Sequence, residues 1–494
     1  MIDIIINKNT CKLEGEKLPT TLLQALDREL SFELPGAKFM PNFNRFGWDG
    51  KKRFLTNKLT FPKGFLNRVC GILKQYGLEY NVVDNNFVSL SIPFDISKKL
   101  KAINKVPYDY QIEATNKVLE FNSGIFKMAT GSGKSICMAL MCAKINKSTV
   151  IYVIGLSLLY QMHELFVSIF GEDRIGIVGD GNCDIKTGHN DINIVSVWTA
   201  GLALGIDKKK IINDDESVEE KSNESKHQQI RDLLTTAKMH ILDECHVSSC
   251  STLEEIAKTI NAEHLYGMSA SPFADGGIGE DLIIESILGS VIVDLPASYL
   301  IERNYLCQPI IKFIDVPKVT FPKDVPYPTI YKEYIIENEI RNNIIVDETI
   351  KLVNKGYKVL VLYKNIKHGK ILFEKLKKQI SCELLSGKDS NDVRENTKLK
   401  MQNGEINCVI ASTIFDIGID WAFLSALVNC GGGKSFIRAL QRVGRILRLH
   451  PKKSMVVATV DFKDNCRHLK EHSLARKKVY ETEPKFKIIW PQKK

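Results

Sequence analysis

The chain has no run of about 20 apolar residues, the length that a membrane-spanning helix needs. Its two longest charge-free stretches, Ser148–Met162 and Ile192–Ile206, reach fifteen residues each and carry polar side chains within them. None of its 12 cysteines lies in a C-x-x-C pair, which argues against a thiolate zinc site and against a disulfide framework. Cys137, Cys142, Cys408 and Cys430 sit inside apolar runs, where a thiol kept reduced acts as a small buried hydrophobe. The first residues place acids early and lack the basic-then-apolar order of a secretory leader. The expectation is a cytoplasmic chain with no membrane span and no zinc.

What is present is a globular composition, 44% apolar and 26% charged, over 494 residues. That length is enough for several domains of ordinary size. The net charge of +10 is unevenly spread. Residues 1–105 hold 17 Lys+Arg against 10 Asp+Glu, residues 463–494 hold 10 against 4, and the 357 residues between them carry −3. Basic flanks around a near-neutral middle point to a polyanion partner, with ordinary solvated lysine as the alternative.

From about residue 107 to 462, short β-branched runs alternate with amphipathic stretches: Val150–Ile154, Ile192–Val197, Met239–Asp243, Lys358–Tyr363 and Cys408–Ser412. This alternation predicts βα units around parallel sheets buried on both faces. The span is too long for one such sheet. Phe313–Tyr331 holds four prolines and reads as an extended connection, so two α/β domains are expected on either side of it. Asp207–Gln229 is charge-rich and nearly free of core residues, and reads as a solvated loop.

Three segments carry chemistry. Ile125–Ser135, IFKMATGSGKS, runs from an apolar stretch through glycines into helix-forming sequence, the context of a phosphate-binding loop. Gly131 and Gly133 would let Thr130, Ser132 and their neighbours turn backbone N–H groups onto phosphate. Lys134 would reach the β/γ-phosphates, and Ser135 would ligate Mg²⁺. The pattern is A-x-x-G-x-G-K-[ST] with Met128 at its first position; the alternative is a glycine-rich turn with a chance lysine. Met239–His246, MHILDECH, is an apolar strand ending in two acids. Asp243 suits Mg²⁺ and Glu244 suits the attacking water, although an acidic pair after a strand is often only a helix start. In Gln441–Arg448, QRVGRILR, steps of four and three place Gln441, Arg445 and Arg448 on one predicted helical face. Such guanidinium groups can stabilise transition-state charge at a γ-phosphate; a basic solvated helix or a nucleic-acid patch is the alternative.

In order and spacing, ATGSGKS, DECH, SAS (Ser269–Ser271), STIFDIGID (Ser412–Asp420) and QRVGRILR resemble motifs I, II, III, V and VI of superfamily 2 helicases. The resemblance implies two RecA-like parallel-sheet motor domains in tandem, using ATP and Mg²⁺. It further implies that Gln111 reads adenine, that Ser269 and Ser271 couple nucleotide state to the second domain, and that Gly418 and Asp420 face the nucleotide. It places Thr199, Ser412 and Thr413 on DNA. Outside the motor, Phe43–Leu55 (FNRFGWDGKKRFL), Phe61–Leu66 and Arg467–Phe486 resemble the ends of phage UvsW-type helicases. Arg45, Lys51, Lys52 and Arg53 then offer phosphate contacts, while Phe46 and Trp48 could stack on a base. The alternative makes Phe46, Trp48 and Phe54 core residues.

The expected fold is α/β: a small α+β N-terminal domain (1–105), a first RecA-like domain (106–295), a connecting segment (296–335), a second RecA-like domain (336–462) and a basic tail (463–494). The expected activity is ATP-driven unwinding or branch migration of branched DNA, with a monomer favoured and a cytoplasmic location, that of the host cell if the chain is phage-encoded. A duplex translocase that never separates strands, an RNA helicase, and a nucleic-acid-binding scaffold with a vestigial ATP site are the alternatives.

Overall fold

The apolar runs form strands because each is too short for a helix and is rich in β-branched residues that pack well on a pleated, covered surface. The computed structural model describes residues 2–15, 18–40, 43, 48–85, 91–206, 224–246, 250–273, 278–387, 389–412, 421–433 and 436–492. The chain divides into two units, residues 1–128 with 133–294, and residues 129–132 with 295–494.

The first unit opens with a four-stranded sheet made by β1 (Ile2–Asn7), β2 (Thr10–Gly15), β3 (Thr60–Pro62) and β4 (Tyr80–Asp84), in the order β3-β2-β1-β4. Helices α1 (Thr20–Glu29) and α2 (Leu66–Gln75) contribute Leu22, Leu26, Val69 and Leu73 to its core. That core also takes Leu282 and Ile283 from the helix Ile278–Leu288. Arg68 forms a two-pronged contact with Glu285, and Gly64 lies so close to the carbonyls of Glu285 and Ser286 that a Cβ there would meet backbone. The first 105 residues therefore share one compact unit with the strands that follow.

Those strands are β5 (Ser123–Met128), β6 (Thr149–Val153), β7 (Ile175–Gly179), β8 (Asn182–Asp184), β9 (Ile192–Ser196), β10 (Met239–Asp243), β11 (His264–Ser269) and β12 (Val291–Leu295). They lie in the order β8-β7-β9-β6-β10-β11-β5-β12. The central pairs are parallel, with Asp243 opposite Met268 and Ser269 opposite Lys127. Strands β6, β7, β9 and β10 are buried along their whole length, as the continuous apolar runs require.

The second unit holds β13 (Gln308–Val316), β14 (Val359–Tyr363), β15 (Cys382–Leu385), β16 (Cys408–Ser412), β17 (Ala426–Asn429), β18 (Val456–Asp464) and β19 (Lys487–Ile489), ordered β15-β16-β14-β17-β18-β13-β19. Every registered pair is parallel. Three expectations change here. The proline-rich connection begins inside the sheet, because Phe313–Val316 ends the nine-residue strand β13. The basic end is not a tail: β18 runs on to Asp464, a helix spans Leu469–Glu481, and β19 closes the sheet edge. Two of its cations pack on an aromatic ring, Lys463 and Lys477 lying 5.9 and 5.7 Å from the Trp490 ring. In the charged stretch, residues 207–223 lie outside the described residues. Its last part instead opens the helix Glu224–Thr236, which buries Ile230, Leu233 and Leu234.

A buried polar network holds the second unit together. Asp461 in β18 accepts from Arg476 Nε at 3.0 Å, from the Tyr480 hydroxyl at 2.9 Å and from Asn429 Nδ2 at 3.1 Å. Burial alone would raise the Asp461 carboxyl, but the Arg476 charge outweighs it and holds the group below its ordinary value. Breaking a buried pair leaves an uncompensated charge. Asp461→Ala should therefore cost about 3–5 kcal/mol, whereas Tyr480→Phe, which removes one hydrogen bond, should cost about 0.5–1.5 kcal/mol. Urea unfolding midpoints of the two variants check both values.

Candidate nucleotide site

The parallel order sends β5, β10 and β11 out at one edge, where open α/β sheets bind ligands. β5 leads through Ala129–Ser132 into α3 (Lys134–Ile145). Gly131 and Gly133 take left-handed backbone, with φ of +89° and +77°, the conformations glycine adopts without steric cost. A Cβ on Gly133 would lie 2.3 Å from Gln111 Nε2. Gln111 is buried, and its Oε1 accepts from the Tyr108 N–H at 2.9 Å, which fixes the amide orientation at the start of the helix Asp109–Asn116. The glutamine side chain is thus locked against the phosphate-loop turn.

Lys134 Nζ donates to Glu244 Oε1 at 2.6 Å. Burial opposes the ammonium charge, but Glu244 and then Asp243 outweigh it and keep the lysine above its ordinary value. Asp243 is buried at the end of β10 and its carboxyl is pushed up to about 7, by burial first and by the neighbouring Glu244 charge second, against the pull of Lys134. Glu244 leaves the strand in left-handed backbone, φ +46°, which costs a non-glycine residue about 1–2 kcal/mol. That turn carries its carboxylate to Lys134 rather than letting the strand run on. Asp243 and the half-buried Ser135 offer the hard oxygen donors that Mg²⁺ takes beside phosphate, so the residues present fit the ion.

His246 carries no local signal beyond its place after the acidic pair, yet it ties two motifs together. Its Nδ1 lies 2.7 Å from Ser269 Oγ and 3.5 Å from Glu244 Oε2, and Ser269 Oγ also accepts from the Ser271 N–H at 3.0 Å. Burial first lowers the His246 value below that of free imidazole, favouring the neutral ring.

In the second unit, α4 (Phe436–Arg445) carries Gln441 and Arg445, but the helix stops there. The one-face expectation therefore holds for these two alone, and Arg448 follows a turn. Leu447 O is taken by Cys307 N–H at 2.7 Å, and Lys453 Nζ donates to Ile446 O at 2.6 Å and Arg448 O at 2.7 Å. These bonds hold the turn that follows the helix by giving its carbonyls partners that the helix does not supply. Burial pushes Lys453 down to about 8. Within α4, Arg442 is buried and donates to Asn429 Oδ1 at 3.0 Å, joining the arginine helix to the Asp461 network. Lys453 carried no sequence signal beyond its charge; Asp461 carried one, an acid inside the apolar run VATVDF.

The remaining expected residues are scattered. Gly418, Asp420, Thr413, Arg45 and Phe46 lie outside the described residues. Thr199 and Ser412 are buried, 6% and 5% exposed. Trp48 Nε1 donates to Lys51 O at 2.9 Å, Lys52 pairs with Glu254, and Arg53 pairs with Asp27 and Asp49. Phe54 packs on Phe65 with ring centres 5.1 Å apart, the core alternative. Of the basic triplet, Lys51 alone has no ion-pair partner among the described residues.

Comparison with known proteins follows this geometry. The family "Type III restriction enzyme, res subunit" matches residues 104–274, and "Helicase conserved C-terminal domain" matches residues 341–450. The chain belongs to the superfamily 2 helicases and is an ATP-dependent enzyme. It is 25% identical over 455 residues to the ATP-dependent DNA helicase uvsW of Enterobacteria phage T4, covering 87% of this chain and 84% of that one. It is 23% identical over 425 residues to the DNA 3'-5' translocase XPB2 of Sulfurisphaera tokodaii, covering 78% and 86%. Among solved structures, helicase MrfA bound to DNA matches with a TM-score of 0.57 at 14% identity, over 80% of this chain and 51% of that one. At that identity the likeness is one of fold. No described helix is long and apolar enough to cross a membrane.

The raised Asp243 carboxyl has a measurable consequence in the nucleotide-free protein. An unfolded aspartate titrates near ~3.9 and the folded one near about 7. Between those values the folded state holds a proton that the unfolded state has released, so stability falls as pH rises through the window. Asp243→Asn removes this penalty. The variant should melt a few degrees above the parent at pH 8, where ~1 kcal/mol corresponds to about 2–4 °C, and the gap should close as the pH falls towards 4. Thermal melts at the two pH values check it.

Proposed function

We propose that this helicase acts on DNA, unwinding or branch-migrating forks, Holliday junctions or displacement loops during recombination, repair or replication. The observation that carries the motor reading is the convergence of Gly133, Gln111, Lys134, Asp243 and Glu244 at one sheet edge. Gly131 and Gly133, with Thr130 and Ser132, cradle phosphate; Lys134 leaves Glu244 to meet the β/γ-phosphates, freeing that carboxylate to position water. Ser135 and Asp243 would hold Mg²⁺, which when bound neutralises phosphate charge. Gln441, Arg445 and Arg448 stabilise charge on the transferring group, and Ser269 and Ser271 relay nucleotide state.

The substrate reading is supported by the two relatives named for action on DNA. It is also supported by length: the 455-residue likeness to the phage helicase exceeds the motor span and takes in flanking sequence. With that relative as a guide, we place the protein in the cytoplasm of a phage-infected host, with Lys51, Arg45 and Trp48 as the N-terminal DNA contacts. Contacts of this kind grip phosphates without reading sequence.

Lys134→Ala should abolish ATP turnover while DNA binding survives. Arg445→Ala should lower kcat by about 10³-fold or more. Turnover and strand displacement are then measured side by side on single-stranded DNA, blunt duplex, fork, Holliday junction and an RNA duplex, with Glu244→Gln as the inactive control. Release of strands from fork and junction is the expected outcome. Stimulation by plain duplex without release would make the protein a translocase, and stimulation by RNA alone would overturn the substrate.

A further inference from the structure

Three carbonyl oxygens of the second unit converge on one ammonium group. Lys453 Nζ donates to Ile446 O at 2.6 Å, to Arg448 O at 2.7 Å and to Ala422 O at 3.2 Å. An ammonium has three donors and no acceptor, so a single side chain answers all three oxygens and offsets their mutual repulsion. The bonds reach two separate stretches of chain. Ile446 and Arg448 belong to the turn that follows α4, whereas Ala422 stands two residues past Asp420.

The turn takes its other outside support from the residue before β13. Leu447 O accepts from the Cys307 N–H at 2.7 Å, and the Cys307 thiol lies 3.7 Å from Arg448 O. The peptide that carries the Arg448 side chain is therefore held at its own carbonyl by Lys453. Burial pushes the lysine down to about 8, with Cys307 opposing the shift and the Arg448 charge adding to it. His450 on the same turn meets the Phe423 ring edge-on, centres 6.3 Å apart, and its Nδ1 accepts from the Lys452 N–H at 3.3 Å. The Lys452 side chain is exposed, and Trp421–Ser425 brings no titratable group. On losing its proton Lys453 has two N–H groups for three carbonyls, and no charge.

We propose that Lys453 is a positioning residue for ATP hydrolysis: its ammonium ties the stretch after Asp420 to the turn bearing Arg448 and so aims that guanidinium. The inference rests on the reading, under Proposed function, that Arg448 stabilises charge on the transferring group. Lys453 itself touches no reacting atom. It acts through the arginine, where a displacement of about 1 Å can cost 10²-fold in rate.

The test is ATP turnover by the full chain with Mg²⁺ and saturating oligo-dT, followed from pH 7 to 9.5. The parent's kcat should fall as the pH rises through about 8. Lys453→Arg stays charged throughout, so its profile should be flat; its planar fork meets fewer of the carbonyls, so its rate at pH 7 should be lower. Lys453→Met should lower kcat at pH 7.5 by about 10²-fold and leave the KM for ATP within about threefold. Loss of fold predicts the opposite trend. Between about 8 and the ~10.4 of free lysine, the unfolded chain keeps a proton that the folded one has released. This group's contribution to stability therefore rises with pH while the rate falls, and thermal melts separate the two. An unchanged kcat in Lys453→Met would overturn the proposal, as would a Lys453→Arg profile that follows the parent's fall. If Lys453→Met does not fold, the comparison of parent with Lys453→Arg decides alone. Arg448→Ala runs alongside. An unchanged kcat in that variant fails the arginine reading itself, whereas a drop there without one in Lys453→Met fails only the positioning role.

Discussion

Parallel strand pairing is the constraint on which the rest of this molecule depends. When β10, β11 and β5 run side by side in one direction, their last residues must emerge together. Asp243 stands opposite Met268, and Ser269 opposite Lys127. Residues more than a hundred positions apart, such as Lys134 and Glu244, are thereby brought within 2.6 Å. No local preference of either segment could do this. The second sheet repeats the device, bringing Tyr363 opposite Ser412 and Leu362 opposite Asn429.

The two units spend buried charge differently. In the second, Asp461 is met by Arg476, Tyr480 and Asn429, so the carboxylate is satisfied and Asn429 links the network to Arg442 of the arginine helix. In the first, Asp243 is crowded by Glu244 and buried with its carboxyl raised, and Glu244 accepts a left-handed backbone to reach Lys134. A satisfied network is stable; a crowded acidic pair is poised for a cation. That contrast follows from desolvation, which penalises any buried charge not matched by an opposite one.

Much of this was legible beforehand, and for identifiable reasons. The phosphate loop, the DECH strand end and the arginine segment are local patterns whose chemistry is carried by neighbours in sequence. Apolar runs of four to six marked β6, β9, β10, β14 and β16. Misjudged features share a different origin. The prolines of Phe313–Tyr331 suggested a linker, but Phe313–Val316 pairs with β18 along its length. The charge of residues 463–494 suggested a tail, but Arg476 is buried on Asp461 and Lys463 and Lys477 lie by Trp490. Lys52 and Arg53, expected on phosphate, carry ion pairs to Glu254, Asp27 and Asp49 that their own segment does not announce.

Local pattern was therefore sufficient for the class of fold, and the order of the motifs for the resemblance to the superfamily, because those depend on the order of residues along a strand, turn or helix. They were insufficient for the fate of individual charges. Whether a lysine or arginine meets solvent, a phosphate or a carboxylate from a distant strand depends on what folding places beside it. The cost of burying an ion is set by that neighbour and not by its own segment. Lys453 at the end of the arginine helix and the Asp461 hub came into view only once the chain was folded.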